Sequence, residues 1–233
     1  MANAEHVAIV RDGKAALDAW RAENPDTQLD LRIADLKGLD LAGIDLRDSD
    51  LRGAVLSDAR LTRGNFARAD LRSADFTGAD LYGATLAQAQ MATTILRNVN
   101  LFWADLKQSN MQEAILQWSR LNRALFLSTD LTGADCSQTT AIEVDLRSAN
   151  LTDSNWQGAN LNGADVSRAV MQGADFTNAK IRDSMWIMTD MRGANFNKAS
   201  LHRCDMTMGK WDDTTNFPPG FDPTRIENRV DDY

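Results

Sequence analysis

A large apolar residue recurs at every fifth position of this chain, in one register, from Leu31 to Trp211. Of these 37 positions, twenty are Leu and five are Phe, and no insertion interrupts the series. The residue two places earlier is small in 34 cases, and the residue between the two is Asp or Asn in 23 cases. The two residues that follow the large one are mostly polar or Gly, as in Arg52-Gly53.

A period of five fits neither an α-helix nor an alternating β-strand. Two inward residues in every five indicate a chain that turns a corner every five residues, so the pattern predicts a solenoid of stacked coils. Asp and Asn suit the corners, because their side chains bond to nearby backbone. Ten of the 14 glycines occupy the last position of a pentad, where a positive φ costs least for Gly.

The pattern A(D/N)LXX resembles the pentapeptide-repeat family over residues 29–213. The resemblance implies an all-β fold, a right-handed quadrilateral β-helix with four pentads in each of about nine coils. At roughly 4.8 Å per coil, the rod would be about 45 Å long. We name its four faces A, B, C and D after the pentads centred on Leu31, Leu36, Leu41 and Leu46. Residues twenty positions apart stack on the same face.

The N-terminal segment, residues 1–28, is predicted to be a capping helix and a linker. Residues 6–22 place Val10, Gly13, Leu17 and Trp20 on one face of an amphipathic α-helix. A solenoid exposes its core at its ends, so such a helix is expected to cover the first coil.

The C-terminal segment, residues 214–233, is predicted to be a cap and a tail. An apolar plug at this end is expected from Trp211, Phe217, Pro218, Pro219 and Phe221. The last residues, ENRVDDY, are expected to form a loose tail.

Composition narrows the functional classes. The 233 residues carry a net charge of −8, which argues against direct binding of nucleic acid. No apolar run is long enough to cross a membrane, and the first residues lack a secretory pattern, so a cytoplasmic location is expected. Cys136 and Cys204 lie more than three coils apart, too far for a disulfide, and are expected to be buried thiols.

No motif in the sequence indicates catalysis, a metal or a cofactor. The aspartates recur at one structural position of the pentad, His202 is expected to face solvent, and no nucleophile has a base nearby. Trp156 and Trp186 stack on small residues and are expected to fill the core. We therefore expect no enzymatic activity and no cofactor.

Apolar residues at outward positions are the candidates for a partner surface. We call the first group the aromatic belt; its members are Tyr82, Ile95, Phe102, Trp103, Ile115, Trp118, Leu125 and Leu127. We call the second the Met group; it comprises Met185, Ile187, Met188 and Met208. Each group has an alternative interpretation, a ladder of side chains that shields the coils without any partner.

Charge differs between the faces. Summed over residues 29–213, faces A, B and D carry −4, −2 and −1, whereas face C carries +3. The basic side is lined by Arg60, Arg63, Arg120, Arg123, Lys180, Arg182 and Arg203. This distribution matters because some members of the resembled family protect bacterial type II topoisomerases by imitating DNA. A DNA segment about 45 Å long carries about 26 phosphates, far more charge than this rod.

Three functions remain open from the sequence. The first is a non-catalytic protein-interaction or scaffold module that uses the aromatic belt to bind an unidentified protein. The second, implied by the resemblance, is a DNA mimic that binds DNA gyrase or a related topoisomerase. The third is a structural solenoid that self-associates, and a monomer or weak homodimer is expected.

Overall fold

The fold, described for residues 2–223 by a computed structural model, consists of two short α-helices followed by a stack of coils. Helix α1 spans Ala4–Arg11 and helix α2 spans Lys14–Glu23. From Asp30 onward, the regular structure is a series of isolated parallel β-bridges rather than continuous strands. Each bridge up to the Asp190–Lys210 pair joins residues twenty positions apart, so the chain returns to the same face after four pentads.

Hydrogen bonds between successive coils repeat once per pentad. The amide of Leu31 donates to the carbonyl of Asp50 at 2.8 Å, and the amide of Asp50 donates to the carbonyl of Leu29 at 2.9 Å. The residue between the small and the large apolar positions therefore makes the bridge, as Asp50 does here. With one bridge per side, each face is too short for a continuous strand.

The corners are tight turns that follow each large apolar residue. The amide of Ala34 donates to the carbonyl of Leu31 at 3.0 Å, and Ile33 has a φ of 60°, as in a type II turn. Asp and Asn, which we expected at the corners, lie instead at the bridge position on the flat faces. Their side chains still reach the turn, as when Asp35 Oδ1 accepts from the amide of Lys37 at 3.1 Å.

The core is a column of stacked side chains inside the coils. Trp156 and Trp186 are fully buried, as predicted. Each indole nitrogen donates to the serine two residues earlier, Ser154 at 2.9 Å and Ser184 at 2.8 Å. The column of small residues thus supplies hydrogen-bond acceptors as well as space.

The prediction of one N-terminal helix is wrong, because the chain breaks at Gly13. Gly13 has a φ of 88°, which ends α1 and begins α2. The apolar face persists across the break, since Val10 and Leu17 are both completely buried. Trp20 is partly buried and packs on the same core.

The two helices satisfy backbone groups at the edge of the first coil. The amide of Asp30 donates to His6 Nδ1 at 3.0 Å, and Arg11 Nη2 donates to the carbonyl of Asp35 at 2.8 Å. Arg21 donates from Nε to the carbonyl of Asp45 and from Nη2 to that of Arg47, each at 3.0 Å. These contacts cover an edge that would otherwise present unpaired backbone groups.

At the other end an aromatic stack continues the core. The last bridge joins Asn195 to Asn216, so one additional residue is accommodated after Trp211. The step of 21 residues keeps Phe217 over Phe196, with ring centroids 5.7 Å apart, and Phe221 stacks on Phe217 at 5.0 Å. The predicted tail, residues 227–233, lies outside the described residues.

Candidate interaction surface

Three residues of the aromatic belt form one stack on face C. Tyr82 and Phe102 lie in successive coils, with ring centroids 5.8 Å apart and planes inclined by 8°. Phe102 stacks in turn against its neighbour Trp103 at 6.0 Å. The twenty-residue spacing of Tyr82 and Phe102 was the sequence signal for this contact.

The two outward tryptophans are the most exposed members of the belt. The exposed fraction is 54% for Trp103 and 60% for Trp118. Trp118 occupies the corner between faces B and C, and Trp103 the corner between faces C and D, so the two indoles flank face C. Both have a positive φ, 62° for Trp103 and 65° for Trp118.

The remaining belt residues are half-buried. Ile95 and Ile115 are paired by a bridge between adjacent coils on face B. Leu125 and Leu127 flank the buried Phe126 on face D. These four residues resemble the shielding ladder of the alternative interpretation, and they extend the apolar surface around the two tryptophans.

The Met group lies on face D and its following corner. Met185, Met188 and Met208 are 45%, 43% and 40% exposed, and Ile187 is half-buried. The sequence analysis did not select two further exposed apolar residues, Ile33, which is 72% exposed, and Val170. Ile33 is the third residue of a corner turn, a position that polar residues or Gly usually occupy here.

Three of the seven residues of the predicted basic side form ion pairs. Arg60 Nε lies 2.9 Å from Asp40 Oδ1. Arg123 Nε lies 2.7 Å from a Glu143 carboxylate oxygen. Arg203 Nε lies 3.0 Å from Asp183 Oδ1.

The other basic residues of this side stand apart from carboxylates. Within residues 2–223, Arg63, Arg120, Lys180 and Arg182 form no ion pair. The positive character of face C therefore resides mainly in these four side chains.

The first three coils of face A carry a connected network of aspartates and arginines instead. Arg32 binds Asp30 through two hydrogen bonds of 2.8 and 2.7 Å, and its Nε also lies 3.6 Å from Asp50. Hydrogen bonds from Arg32 hold the pKa of Asp30 down at about 2. The same geometry with Arg52 lowers the pKa of Asp50. These carboxylates are thus committed to structural pairs.

The two thiols differ in accessibility. Cys136 is fully buried, and burial raises the pKa of its thiol well above the usual value. Cys204, expected to be buried, is only partly so, because it lies near the end of the stack where fewer coils cover it. Its Sγ donates to the carbonyl of Ile181 at 2.7 Å.

The described residues were also compared with what a metal site, a histidine site and a membrane-spanning helix require. In the part of the chain that the structure describes, no group of three or more His, Cys, Asp and Glu residues is arranged to hold a metal ion. His202 is exposed, as predicted. Neither described helix has the length and apolar character that crossing a membrane requires.

Four-sided coils built from five-residue units define the class of this protein, a parallel β-solenoid. Eight overlapping copies of the pentapeptide-repeat model match the chain between residues 30 and 207. The chain belongs to the pentapeptide-repeat family, whose members fold as right-handed quadrilateral β-helices.

Solved structures of the same family resemble this chain. HetL, involved in heterocyst differentiation regulation in the cyanobacterium Nostoc, is 25% identical over 85% of this chain and 97% of its own, with a TM-score of 0.39. QnrB1, a plasmid-mediated fluoroquinolone resistance protein, is 19% identical over 69% of this chain and 85% of its own, with a TM-score of 0.48.

A third structure comes from the thylakoid lumen of Arabidopsis thaliana. It is 28% identical over 51% of this chain and 69% of its own, with a TM-score of 0.17. Curated protein sequences gave no match. At TM-scores below 0.5 these likenesses do not bear on what this chain binds.

Proposed function

We propose that this chain is a non-catalytic protein-interaction module that binds a partner protein through the aromatic belt. The observation that carries the proposal is the pair of tryptophans, Trp103 and Trp118, each more than half exposed at the two corners of one face. In this proposal residues 29–213 form one solenoid of about nine coils, capped by residues 1–28 and 214–233, and act in the cytoplasm.

Stability alone does not account for these two tryptophans. A bulky residue with a positive φ is strained by about 1–2 kcal/mol, and an exposed indole leaves much of its apolar surface in water. Many other corner residues are Gly or bond to the next coil, as Ser73 and Thr93 do at 2.8 Å. Trp is also among the residues that contribute most to protein–protein binding.

The shape of the belt favours a partner that packs across face C. The stacked rings of Tyr82 and Phe102 lie between the two tryptophan corners and give the centre of the surface a rigid apolar floor. Arg120 lies on the same face, in the coil after Phe102, and adds a positive charge beside this floor. A partner with apolar side chains and a carboxylate would complement it.

The topoisomerase-binding DNA mimic is the alternative proposal. A rod of stacked coils supports it, whereas the charge disfavours it, since face C is basic and four aspartates of face A are paired with arginines, namely Asp30, Asp50, Asp70 and Asp190. Its test is gyrase supercoiling in the presence of a fluoroquinolone. Relief of inhibition by micromolar protein would establish it, and absence of relief would remove it.

Affinity capture from a soluble lysate of the source organism tests the main proposal. The bait is the full chain, compared with Trp103→Ser/Trp118→Ser and with the matched control Met185→Ser/Met188→Ser. We expect one captured protein with the wild type and the control, and its loss with the tryptophan variant, at equal unfolding temperatures. Equal capture by all three baits would contradict the proposal.

Self-association, the third possibility, is separated from partner binding by sedimentation of the purified chain. We expect a monomer at the concentrations used for capture. A dimer that the tryptophan variant converts to monomer would mean that the belt binds a second copy of this chain.

A further inference from the structure

A groove of about 490 Å³ lies on face C and its corner with face B, towards the C-terminal end of the stack. Three cationic side chains line it, from Lys180, Arg182 and Lys198. Asn160, Asn162 and Ser200 supply polar groups, and no carboxylate is among the lining residues. Three like charges thus face one cavity without an acidic residue between them.

The cations of this groove are not used in structural pairs. Within residues 2–223, Lys180, Arg182 and Lys198 make no ion pair, and the neighbouring Asp183 is bound to Arg203 at 3.0 Å. Elsewhere the rod commonly pairs such residues, as at Arg68 and Asp48 across one coil step. The three cations therefore repel one another, and a bound anion would reduce this repulsion.

The amides of the groove are oriented as donors. Asn160 Oδ1 accepts from the amide of Asn162 at 3.3 Å, and Asn162 Oδ1 accepts from the amide of Arg182 at 3.1 Å. Because both side-chain oxygens are occupied, the two Nδ2 groups remain as donors, and neither bonds to any described residue. Arg182 Nε donates to Ser200 Oγ at 3.1 Å, which fixes the plane of the guanidinium.

We propose that this groove is a binding site for a small phosphate-bearing anion. The site offers hydrogen-bond donors and three positive charges, so its ligand needs several acceptor oxygens and more than one negative charge. A phosphate group meets both needs, with a charge between about −1.5 and −2 at neutral pH and three or more acceptor oxygens. The volume accommodates inorganic phosphate or a small phosphomonoester.

This site is separate from the aromatic belt. Asn160 lies nearly three coils beyond Phe102 on face C, about 14 Å along the rod at roughly 4.8 Å per coil. Neither the tryptophans nor the Tyr82–Phe102 stack line the groove. Anion binding therefore stands independently of the proposed partner surface.

Calorimetric titration of the full chain tests the site, with inorganic phosphate in one arm and glycerol 3-phosphate in the other. We expect saturable binding with one site per chain. Arg182→Gln should weaken it about tenfold or more, because it removes a charge-assisted hydrogen-bond donor. The matched control is Arg120→Gln, which removes an equal charge from the same face outside the groove and should leave the affinity unchanged.

The two arms also identify the source of the phosphate. Tighter binding of glycerol 3-phosphate assigns an ester, and equal or tighter binding of inorganic phosphate assigns the free ion. The absence of saturable heat in both arms would overturn the proposal. Equal weakening by Arg182→Gln and Arg120→Gln, with both variants folded, would also overturn it, since that result indicates diffuse attraction to a basic face.

Discussion

At the scale of single residues, the corner position shows how backbone geometry selects side chains. Ten glycines in this column predicted a positive φ, and all of them have it. Another 26 described residues also adopt a positive φ, and the sequence did not predict this, because residue types other than Gly do not indicate that conformation. The inter-coil hydrogen bonds impose this conformation on every pentad, whichever residue occupies the corner.

Ile33 is the corner residue whose replacement should stabilise the fold most clearly. It is β-branched, has a φ of 60° and is 72% exposed, so little packing offsets its strain. Ile33→Asn should raise the free energy of unfolding by about 1 kcal/mol, because Asn tolerates this region. Chemical denaturation monitored by circular dichroism measures the change.

The reverse substitution is the control for this interpretation. Gly38 has a φ of 65°, and a Cβ there would meet nothing within 4 Å. Gly38→Ile should therefore lower the free energy of unfolding by about 1–2 kcal/mol through backbone strain alone. If Gly38→Ile is neutral, positive φ is not costly in this column.

At the scale of elements, the first three coils of face A are joined by an alternating ladder of aspartates and arginines. Arg52 binds Asp50 through two hydrogen bonds of 2.9 and 2.6 Å, and Arg72 binds Asp70 in the same way at 2.8 and 2.6 Å. The recurrence of Asp and Asn was visible in the sequence. The ion pair between each aspartate and the arginine two residues later was not predicted, because it depends on a backbone geometry that places both side chains on the same face.

Because of this ladder, the free energy of unfolding is expected to decrease as the pH falls. The pKa values of Asp30, Asp50 and Asp70 are lowered in the folded state, that of Asp30 to about 2. The folded state thus binds fewer protons than the unfolded state, where Asp has a pKa of about 3.9. The stabilisation is present above about pH 4 and is lost as the pH falls towards about 2.

Thermal unfolding followed across that pH range checks the prediction. The triple variant Asp30→Asn/Asp50→Asn/Asp70→Asn should be less stable at neutral pH and should lose less stability on acidification than the wild type. Asp26→Asn, outside the ladder, is the control and should reproduce the wild-type profile. Parallel acid profiles for the wild type and the triple variant would mean that the ladder contributes nothing measurable.

The N-terminal helices illustrate what the apolar pattern can and cannot predict. It predicted correctly that Val10 and Leu17 face the core. It did not predict the break at Gly13, since the spacing continues through that residue and only the φ of 88° ends the helix. The capping role of Arg21 was missed as well, because its acceptors are carbonyls 24 and 26 residues away.

Arg21 should therefore matter more than an exposed charge on the same helix. Burial lowers the pKa of Arg21, and its guanidinium serves two first-coil carbonyls. Arg21→Leu should lower the free energy of unfolding by about 1–2 kcal/mol, because those charge-assisted hydrogen bonds are lost. Hydrogen exchange should show faster exchange in the first coil.

The matched control on α2 is Lys14→Leu. Lys14 pairs only with Asp18 at the surface among the described residues, so the change should be below about 0.5 kcal/mol. An equal loss of stability in both variants would indicate that helix propensity, rather than edge capping, is responsible.

At the scale of the whole molecule, the five-residue period was sufficient to predict a solenoid of stacked coils, because one register is kept through 37 pentads. The four sides of each coil were implied by the family resemblance. It was not sufficient to separate exposed apolar residues from shielded ones. Ile95 and Trp118 both occupy outward positions, yet one is half-buried beside its bridge partner and the other stands free at a corner. The groove at Lys180 was missed because its lining comes from several pentads.

Photo-crosslinking in cells tests the central claim, that the aromatic belt contacts a partner protein, most directly. A photoreactive benzoylphenylalanine replaces Trp103, Trp118 or Glu113 in turn. Glu113 occupies the corner diagonally opposite that of Trp103 and is also exposed with a positive φ, so it is a matched control. We predict crosslinks to the same protein from positions 103 and 118 and none from position 113. Crosslinks of equal yield from all three positions, or from position 113 alone, would contradict it.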